Sequence, residues 1–232
     1  MRNTNEQGVA ALLTIFVLGL LALLMGVSLV KTGYEGEIDW RLHTALFFAK
    51  YCSTLEGDFV ECGVDRGFLS RAIVSYIDFN NLNKNFYLLD TFEGIPLDDL
   101  TEREKKLSPH IKKDIDGEYD KSYFEGTYEN VKKAFNDYKR VVVVKGRIPE
   151  ILSKIKSKRI AYVSIDMNNA YPEIEAAKFL WDRIIKGGII LLDDYAYSNR
   201  YIEQRIAFDK FAKEKEVEIL TLATGQSLII KF

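Results

Sequence analysis

Three carboxylates follow two neighbouring apolar runs near the middle of the chain. Asp166 ends one predicted strand, and Asp193 and Asp194 end the next, Gly188–Leu192. An amphipathic helix is predicted between them over Pro172–Ile185. Two parallel strands joined by a crossover helix have their carboxyl ends at the same edge of a sheet, where open α/β sheets bind ligands. The three acids therefore indicate a hard-cation site or an acid–base site, and they favour an enzyme.

A glycine-containing turn follows an earlier predicted strand, Asp58–Cys62. Gly63 and Gly67 have the spacing G-x-x-x-G, which lets the backbone approach a ligand closely. Asp90 ends the next predicted strand, Asn85–Leu89, where an acid can accept hydrogen bonds from both hydroxyls of a ribose. A tight turn without a ligand and a helix N-cap are the simpler interpretations of each feature alone. Together they favour a nucleoside ligand.

Predicted strands alternate with predicted helices along the rest of the chain, which indicates a mostly parallel sheet with helices on both faces. The four valines of Val141–Lys145 predict a strand covered on both faces. Gly225 separates the last two predicted strands, Val217–Leu222 and Ser227–Lys231, as expected for an antiparallel hairpin. The polar segment Thr91–Tyr123 is predicted to hold a short helix and to cover a site.

Composition excludes several classes of protein. Charged residues make up 28% of the chain and hydrophobic residues 47%, so it is neither disordered nor wholly embedded in a membrane. The formal net charge is −2 and no long basic run occurs, which argues against a nucleic-acid partner. Cys52 and Cys62 lack metal-ligand spacing, and they are expected to be buried thiols in a reducing compartment.

The N-terminal segment, residues 1–31, differs from the rest. Gly8–Val30 carries no charge over 23 residues, and as a helix it would span about 34 Å, against a bilayer core of roughly 30 Å. A membrane anchor is the leading interpretation, with the following domain in the cytoplasm because more basic residues follow the run than precede it. A signal peptide, a pilin-like leader and a wrongly assigned start are the alternatives, and with the last of these the protein would be cytoplasmic. Residues 32–39 are predicted to be a linker and 40–232 the catalytic domain.

Five blocks resemble one known family. The chain is similar to the TylF/MycF (macrocin O-methyltransferase-like) family of S-adenosylmethionine-dependent sugar O-methyltransferases, and the order and spacing of the blocks are more specific than any single motif. The blocks span about residues 40–232, and they are GDFVECGVDRGFLS (Gly57–Ser70), YLLDTFEGIP (Tyr87–Pro96), KGRIPEIL (Lys145–Leu152), Ile160–Tyr195 and GQSLIIK (Gly225–Lys231). The resemblance implies a Rossmann-like class I methyltransferase sheet, mostly parallel, with seven strands and a C-terminal antiparallel hairpin.

The resemblance also implies roles for individual residues. The cofactor S-adenosylmethionine would be held at three places. The first loop would contribute Glu61, Gly63, Val64, Gly67 and Ser70. The tip of the second strand would contribute Asp90, Thr91 and Phe92, and the turn after the third strand would contribute Gly146 and Arg147. Asp166, Asp193 and Asp194 match carboxylates that bind a divalent ion, usually Mg²⁺, in related enzymes. Asp166 and Asp193 are the expected catalytic residues, with Asp166 as general base.

Two positions depart from the family pattern Asp-x-Asp-x-Tyr. Asn168 stands in place of the second acid and Ala170 in place of the tyrosine, which puts metal binding in question. The leading interpretation is an O-methyltransferase acting on a hydroxyl of a sugar-containing small molecule or glycan. The alternatives are a nucleotide-dependent oxidoreductase, disfavoured by the absent G-x-G-x-x-G, and a membrane-tethered binding or scaffold protein without catalysis. The sequence leaves acceptor, regiochemistry and homo-oligomer formation open.

Overall fold

The computed structural model describes residues 35–107 and 121–232. Helix α1 (Glu35–Ser53) precedes strand β1 (Asp58–Cys62), helix α2 (Phe68–Tyr76) and strand β2 (Phe86–Asp90). After the short helix α3 (Glu102–Leu107) come helix α4 (Thr127–Ala134), strands β3 (Val141–Lys145) and β4 (Ile160–Ile165), helix α5 (Ala170–Trp181) and strand β5 (Ile184–Leu192). Helix α6 (Ile202–Lys215) and strands β6 (Leu220–Thr221) and β7 (Ser227–Ile230) complete the order.

The strands of these residues form one seven-stranded sheet in the order β3-β2-β1-β4-β5-β7-β6. The first five are parallel, and β7 runs antiparallel to both β5 and β6. The predicted sheet and its terminal hairpin are confirmed. The chain leaves β1 towards β2 and β3 and returns to place β4 on the other side of β1. This reversal opens a crevice at the carboxyl ends of β1 and β4.

Helices cover both faces of the sheet, as predicted. One face packs against α1, α2 and α4, through residues such as Ala49, Ile73 and Val131. The opposite face packs against α5 and α6, through residues such as Leu180 and Phe208. The central strand β4 is buried along its whole length, because it has neighbours on both sides and helices on both faces. Cys52 and Cys62 are buried free thiols, as expected.

Some boundaries differ from the sequence predictions. Strand β3 is an edge strand, and Val142 is 39% exposed, so the prediction that it is covered on both faces is wrong. Valine favours extended backbone whether or not it is buried, and the run of valines therefore does not report burial. Helix α5 ends at Trp181 and β5 begins at Ile184, within the predicted helix. The part of the predicted linker from Glu35 onward is helical and belongs to α1.

Within the residues that the structure describes, no helix combines the length and apolar character needed to cross a bilayer. The predicted anchor Gly8–Val30 and residues 108–120 of the polar segment lie outside those residues. The predicted short helix of that segment is present as α3.

Candidate active site

A cavity of about 460 Å³ lies at the carboxyl edge of the sheet. Eight of the ten predicted cofactor residues line it together with Asp166, and they are Glu61, Gly63, Val64, Asp90, Thr91, Phe92, Gly146 and Arg147. The other two, Gly67 and Ser70, lie behind the turn. Gly67 precedes α2 with a left-handed backbone (φ 74°), and Ser70 is fully buried within that helix. Most of the predicted cofactor residues therefore lie at one cavity, and that they bind the cofactor stays a prediction.

The turn after β1 lies against the end of β4. A Cβ atom at Gly63 would lie 1.7 Å from the carbonyl oxygen of Asp166, and the φ of Gly63 is +90°. Only glycine fits such a position without moving the backbone. Backbone hydrogen bonds continue the ladder past the strand ends, from Gly63 N to Leu89 O (2.9 Å) and from Asp166 N to Cys62 O (2.8 Å). These contacts bring the glycine turn and the first acidic residue to one side of the cavity.

Asp90 connects the tip of β2 to this turn. Its Oδ2 accepts hydrogen bonds from the backbone N–H groups of Val64 (2.6 Å) and Asp65 (2.9 Å), and its Oδ1 accepts one from Phe92 N (2.6 Å). The carboxylate therefore fixes the turn while it lines the cavity. That it also binds a ribose stays a prediction.

The buried carboxyl group of Glu61 faces the same cavity. The side chain is 2% exposed, and its Oε2 has no hydrogen-bond partner within the described part of the chain. Burial raises the pKa of Glu61 well above its usual value against an opposing effect of the Ser70 hydroxyl, and the negative charges of Asp90 and Asp193 raise it further. A buried acceptor of this kind is costly unless a donor or a cation satisfies it. The group is therefore suited to a hydrogen-bond donor or cationic group of a ligand, such as the α-ammonium group of S-adenosylmethionine.

Arg147 follows the turn at Gly146, where a Cβ atom would lie 2.4 Å from Ile151 Cγ2. The Arg147 guanidinium binds the carboxylate of Asp99 through Nε (2.9 Å) and through a second, shorter contact from Nη2. Asp99 also lines the cavity and is 8% exposed. The sequence analysis missed Asp99, because its partner lies in a different part of the chain and no motif connects the two.

Asp166, Asp193 and Asp194 converge as the strand order requires. One oxygen from each carboxylate lies within 4.8 Å of those of the other two. Burial raises the pKa of Asp166 well above its usual value, and repulsion from Asp193 and Asp194 raises it further. Burial and the charge of Asp193 raise the pKa of Asp194 to about 6, against an opposing effect of Arg41. The cluster is therefore rich in negative charge that needs a cation or protons.

Arg41 of α1 supplies a positive charge to this cluster. Its Nη2 donates to Asp193 Oδ2 (2.5 Å), to Asp194 Oδ1 (2.9 Å) and to the backbone oxygen of Asp193. Although burial lowers the pKa of Arg41, attraction to Asp193 and Asp194 raises it overall. The sequence analysis gave Arg41 no role in the site, since no pattern connects residues so far apart in the chain.

The donor set fits a divalent cation by its chemistry. Carboxylate oxygens are the ligands that Mg²⁺ prefers, and an amide oxygen such as that of Asn168 also ligates hard cations. Asn168 lies beside Asp166, to which its Nδ2 donates a hydrogen bond (3.2 Å), and its Oδ1 accepts one from Tyr201 (3.0 Å). The residues that would hold such an ion are thus assembled, but Arg41 already binds two of them.

Comparison with known proteins identifies a family and a fold. The model of the macrocin-O-methyltransferase (TylF) family matches residues 47–221. No curated protein matches the chain. Among solved structures, the O-methyltransferase NovP is 20% identical with a TM-score of 0.66, covering 82% of this chain and 79% of that one. The calicheamicin methyltransferase CalS11 is 18% identical with a TM-score of 0.65, covering 82% and 77%.

A third structure, the methyltransferase PaMTH1 of Podospora anserina, was solved with S-adenosylhomocysteine bound. It is 16% identical with a TM-score of 0.56, covering 91% of this chain and 87% of that one. At these identities the structural likeness shows the fold, and the family match carries the identity. The chain belongs to the macrocin-O-methyltransferase (TylF) family and is an S-adenosylmethionine-dependent O-methyltransferase.

Proposed function

We propose that the protein methylates a hydroxyl group of a sugar-containing small molecule or glycan. The observation that carries this proposal is the acidic cluster of Asp166, Asp193 and Asp194 beside a cavity of about 460 Å³ that is lined by eight of the predicted cofactor residues. One structural neighbour, CalS11, is described as a TDP-rhamnose 3'-O-methyltransferase (TM-score 0.53). A sugar acceptor is consistent with both the family and that neighbour.

Bound S-adenosylmethionine supplies an electrophilic methyl group, and the protein must align the acceptor oxygen with it. Gly63 allows close approach of the backbone, Glu61 offers a buried carboxyl oxygen as an acceptor, and Asp90 holds the turn proposed to contact the cofactor. These residues bind and orient, and none of them needs to move a proton.

Asp166 is the proposed general base. A sugar hydroxyl is a weak acid, so its proton must be taken up as the oxygen attacks. Burial and neighbouring carboxylates raise the pKa of Asp166, so its carboxylate takes up a proton more readily than a solvated one would. Asp193 and Asp194 would hold a divalent cation with Asp166, and such an ion stabilises a developing alkoxide as a Lewis acid.

The decisive experiment measures S-adenosylhomocysteine formation with a panel of hydroxyl acceptors. The panel pairs nucleotide-linked sugars with the corresponding simple glycosides. Comparing the two shows whether the enzyme requires the nucleotide phosphates of the acceptor or only its sugar. Product formation with at least one sugar supports the proposal. Cofactor binding without turnover on any of them would contradict it.

A second candidate function is a cofactor-binding or scaffold protein with reduced or no catalysis. Asn168 and Ala170, which replace the acid and the tyrosine expected from the family pattern, favour it. Calorimetry with S-adenosylmethionine, with and without Mg²⁺, separates the two candidates when it is combined with the turnover assay.

We also propose that Gly8–Val30 anchors the protein in a membrane, with the catalytic domain in the cytoplasm. The absence of charge over this length supports the anchor. Fractionation of the full-length protein tests it, because recovery in the soluble fraction without detergent would rule it out.

A further inference from the structure

The acidic cluster already binds a cation that belongs to the protein itself. Both oxygens of Asp193 accept hydrogen bonds from Arg41, Oδ2 from Nη2 (2.5 Å) and Oδ1 from Nε (3.3 Å). Asp193 Oδ1 also accepts one from Gln226 Nε2 (2.8 Å). With Asp194 Oδ1 accepting as well, the guanidinium uses the oxygens that would otherwise ligate an ion.

The position of Arg41 is fixed by more than this ion pair. Its side chain is 18% exposed, and the guanidinium lies 4.8 Å from the centre of the Tyr197 ring. An arginine side chain stays charged at all ordinary pH values, and its planar donors match carboxylates in pairs. The positive charge at the cluster is therefore permanent and directional.

We propose that Arg41 and a divalent cation compete for Asp193 and Asp194, so that a metal ion binds only when the Arg41 side chain leaves. Both need the same carboxylate oxygens at ligand distance, and a hard cation would repel a guanidinium placed between its ligands. Arg41 thus sets the affinity of the centre for metal. Asn168, an amide in place of an acid, offers no added charge with which the ion could overcome this competition.

This inference rests on the metal-binding part of the proposed function, but its test needs neither methyl transfer nor an acceptor. Mn²⁺ binding is measured by calorimetry and by electron paramagnetic resonance, in the absence of S-adenosylmethionine. The proteins compared are the wild type, Arg41→Gln, Arg41→Lys and Lys50→Gln. Lys50 lies on the same helix, about 14 Å further along it at about 1.5 Å per residue, and is exposed.

The expected result is that Arg41→Gln binds Mn²⁺ at least tenfold more tightly than the wild type. Lys50→Gln, which removes the same charge away from the cluster, should bind like the wild type. Arg41→Lys should lie between them, because lysine keeps the charge but loses the paired donors. Equal affinities in wild type and Arg41→Gln would overturn the proposal, as would weaker binding by Arg41→Gln or no Mn²⁺ binding by either protein.

Arg41→Gln leaves carboxylates without their cation, which destabilises the fold. The melting temperature, measured with and without Mn²⁺, separates this loss of stability from metal binding. Competition predicts that Mn²⁺ raises the melting temperature of Arg41→Gln more than that of the wild type. An equal rise in both proteins would contradict competition. If the turnover assay failed while these metal results held, the proposed acceptor would be wrong and the competition would still stand.

Discussion

The two halves of the carboxyl edge are built by different physical means. The glycine half comprises the turns after β1, β2 and β3, and backbone conformation and N–H groups shape it. The acidic half comprises Asp166, Asp193 and Asp194 with Arg41, and attraction between charges from distant segments holds it. Shape and charge are therefore separable at this edge, and we expect the glycine half to govern cofactor binding and the acidic half to govern the chemistry.

The largest effect is expected where the two halves touch. Gly63→Ala would place a Cβ atom 1.7 Å from the Asp166 carbonyl oxygen at a φ of +90°. The loss in free energy of unfolding should be at least about 4 kcal/mol. Gly126→Ala is the control, because Gly126 also has a positive φ (+69°) but its nearest neighbour, Asn130 Nδ2, is 3.7 Å away. Urea unfolding checks this, and equal losses in the two variants would show that backbone strain alone accounts for the effect.

The second prediction removes charge from the acidic half without changing its shape. Asp193→Asn should lower turnover by about 100- to 1,000-fold, because the carboxylate negative charge is lost beside the reacting oxygen. Affinity for S-adenosylhomocysteine, measured by calorimetry, should stay close to that of the wild type. Asp182→Asn, an exposed change after α5, controls for a general effect of the substitution. An equal loss of cofactor affinity in Asp193→Asn would break the separation of the two halves.

The third prediction concerns Glu173, a buried carboxyl group beside the acidic half, and its effect on the stability of the fold. Burial raises the pKa of Glu173, near Asp166, from 4.5 to about 8. A carboxyl that holds its proton in the folded protein but not in the unfolded chain contributes stability that is lost as pH rises from about 4.5 to about 8. We expect this group to lower the free energy of unfolding by about 3 to 4 kcal/mol between pH 5 and pH 8.

Chemical denaturation of Glu173→Gln at several pH values checks this. The glutamine keeps the oxygen that accepts from Met167 N (3.0 Å) and removes the titration, so the dependence on pH should flatten. Glu175→Gln on the same helix is the control. Parallel pH profiles for wild type and Glu173→Gln would show that Glu173 ionises normally.

The smallest effect is expected within the glycine half. In Asp90→Asn one of the two oxygens becomes an NH₂ group facing backbone donors, either Val64 and Asp65 N–H or Phe92 N–H. S-adenosylhomocysteine affinity should fall by about tenfold, which corresponds to the loss of about one hydrogen bond to a charged group. Asp137→Asn, at an exposed position, is the control. A fall in turnover at saturating cofactor, with affinity unchanged, would mean that the glycine half also takes part in chemistry.

The glycine half could be predicted from sequence because its determinants are local. Gly63 and Gly146 each follow a strand directly and Asp90 ends one, and parallel strands bring their carboxyl ends together whatever the side chains do elsewhere. The convergence of Asp166 with Asp193 and Asp194 followed from the same argument. The start of β5 was less predictable, because Ile184 and Ile185 fit the apolar face of a helix and a buried strand equally well.

Pairings between distant segments could not be predicted. Arg41 contacts Asp193 across 152 positions of sequence, and Arg147 contacts Asp99 across 48. Each depends on where a helix or loop packs over the sheet, and no periodicity in a single sequence reports such packing. The prediction that β3 is covered on both faces was wrong for a similar reason, since strand order decides which strand lies at an edge of the sheet.

The two side chains that hold Asp193 lie outside the stretch that identifies the family. The match covers residues 47–221, whereas Arg41 precedes it, and Gln226 and strand β7 follow it. A protein trimmed to those limits would keep all three carboxylates and lose the guanidinium, the amide and the strand that borders β5. Limits drawn from similarity alone would therefore cut away the contacts that hold Asp193, a proposed catalytic residue, and an inactive fragment would say nothing about the activity of the whole protein.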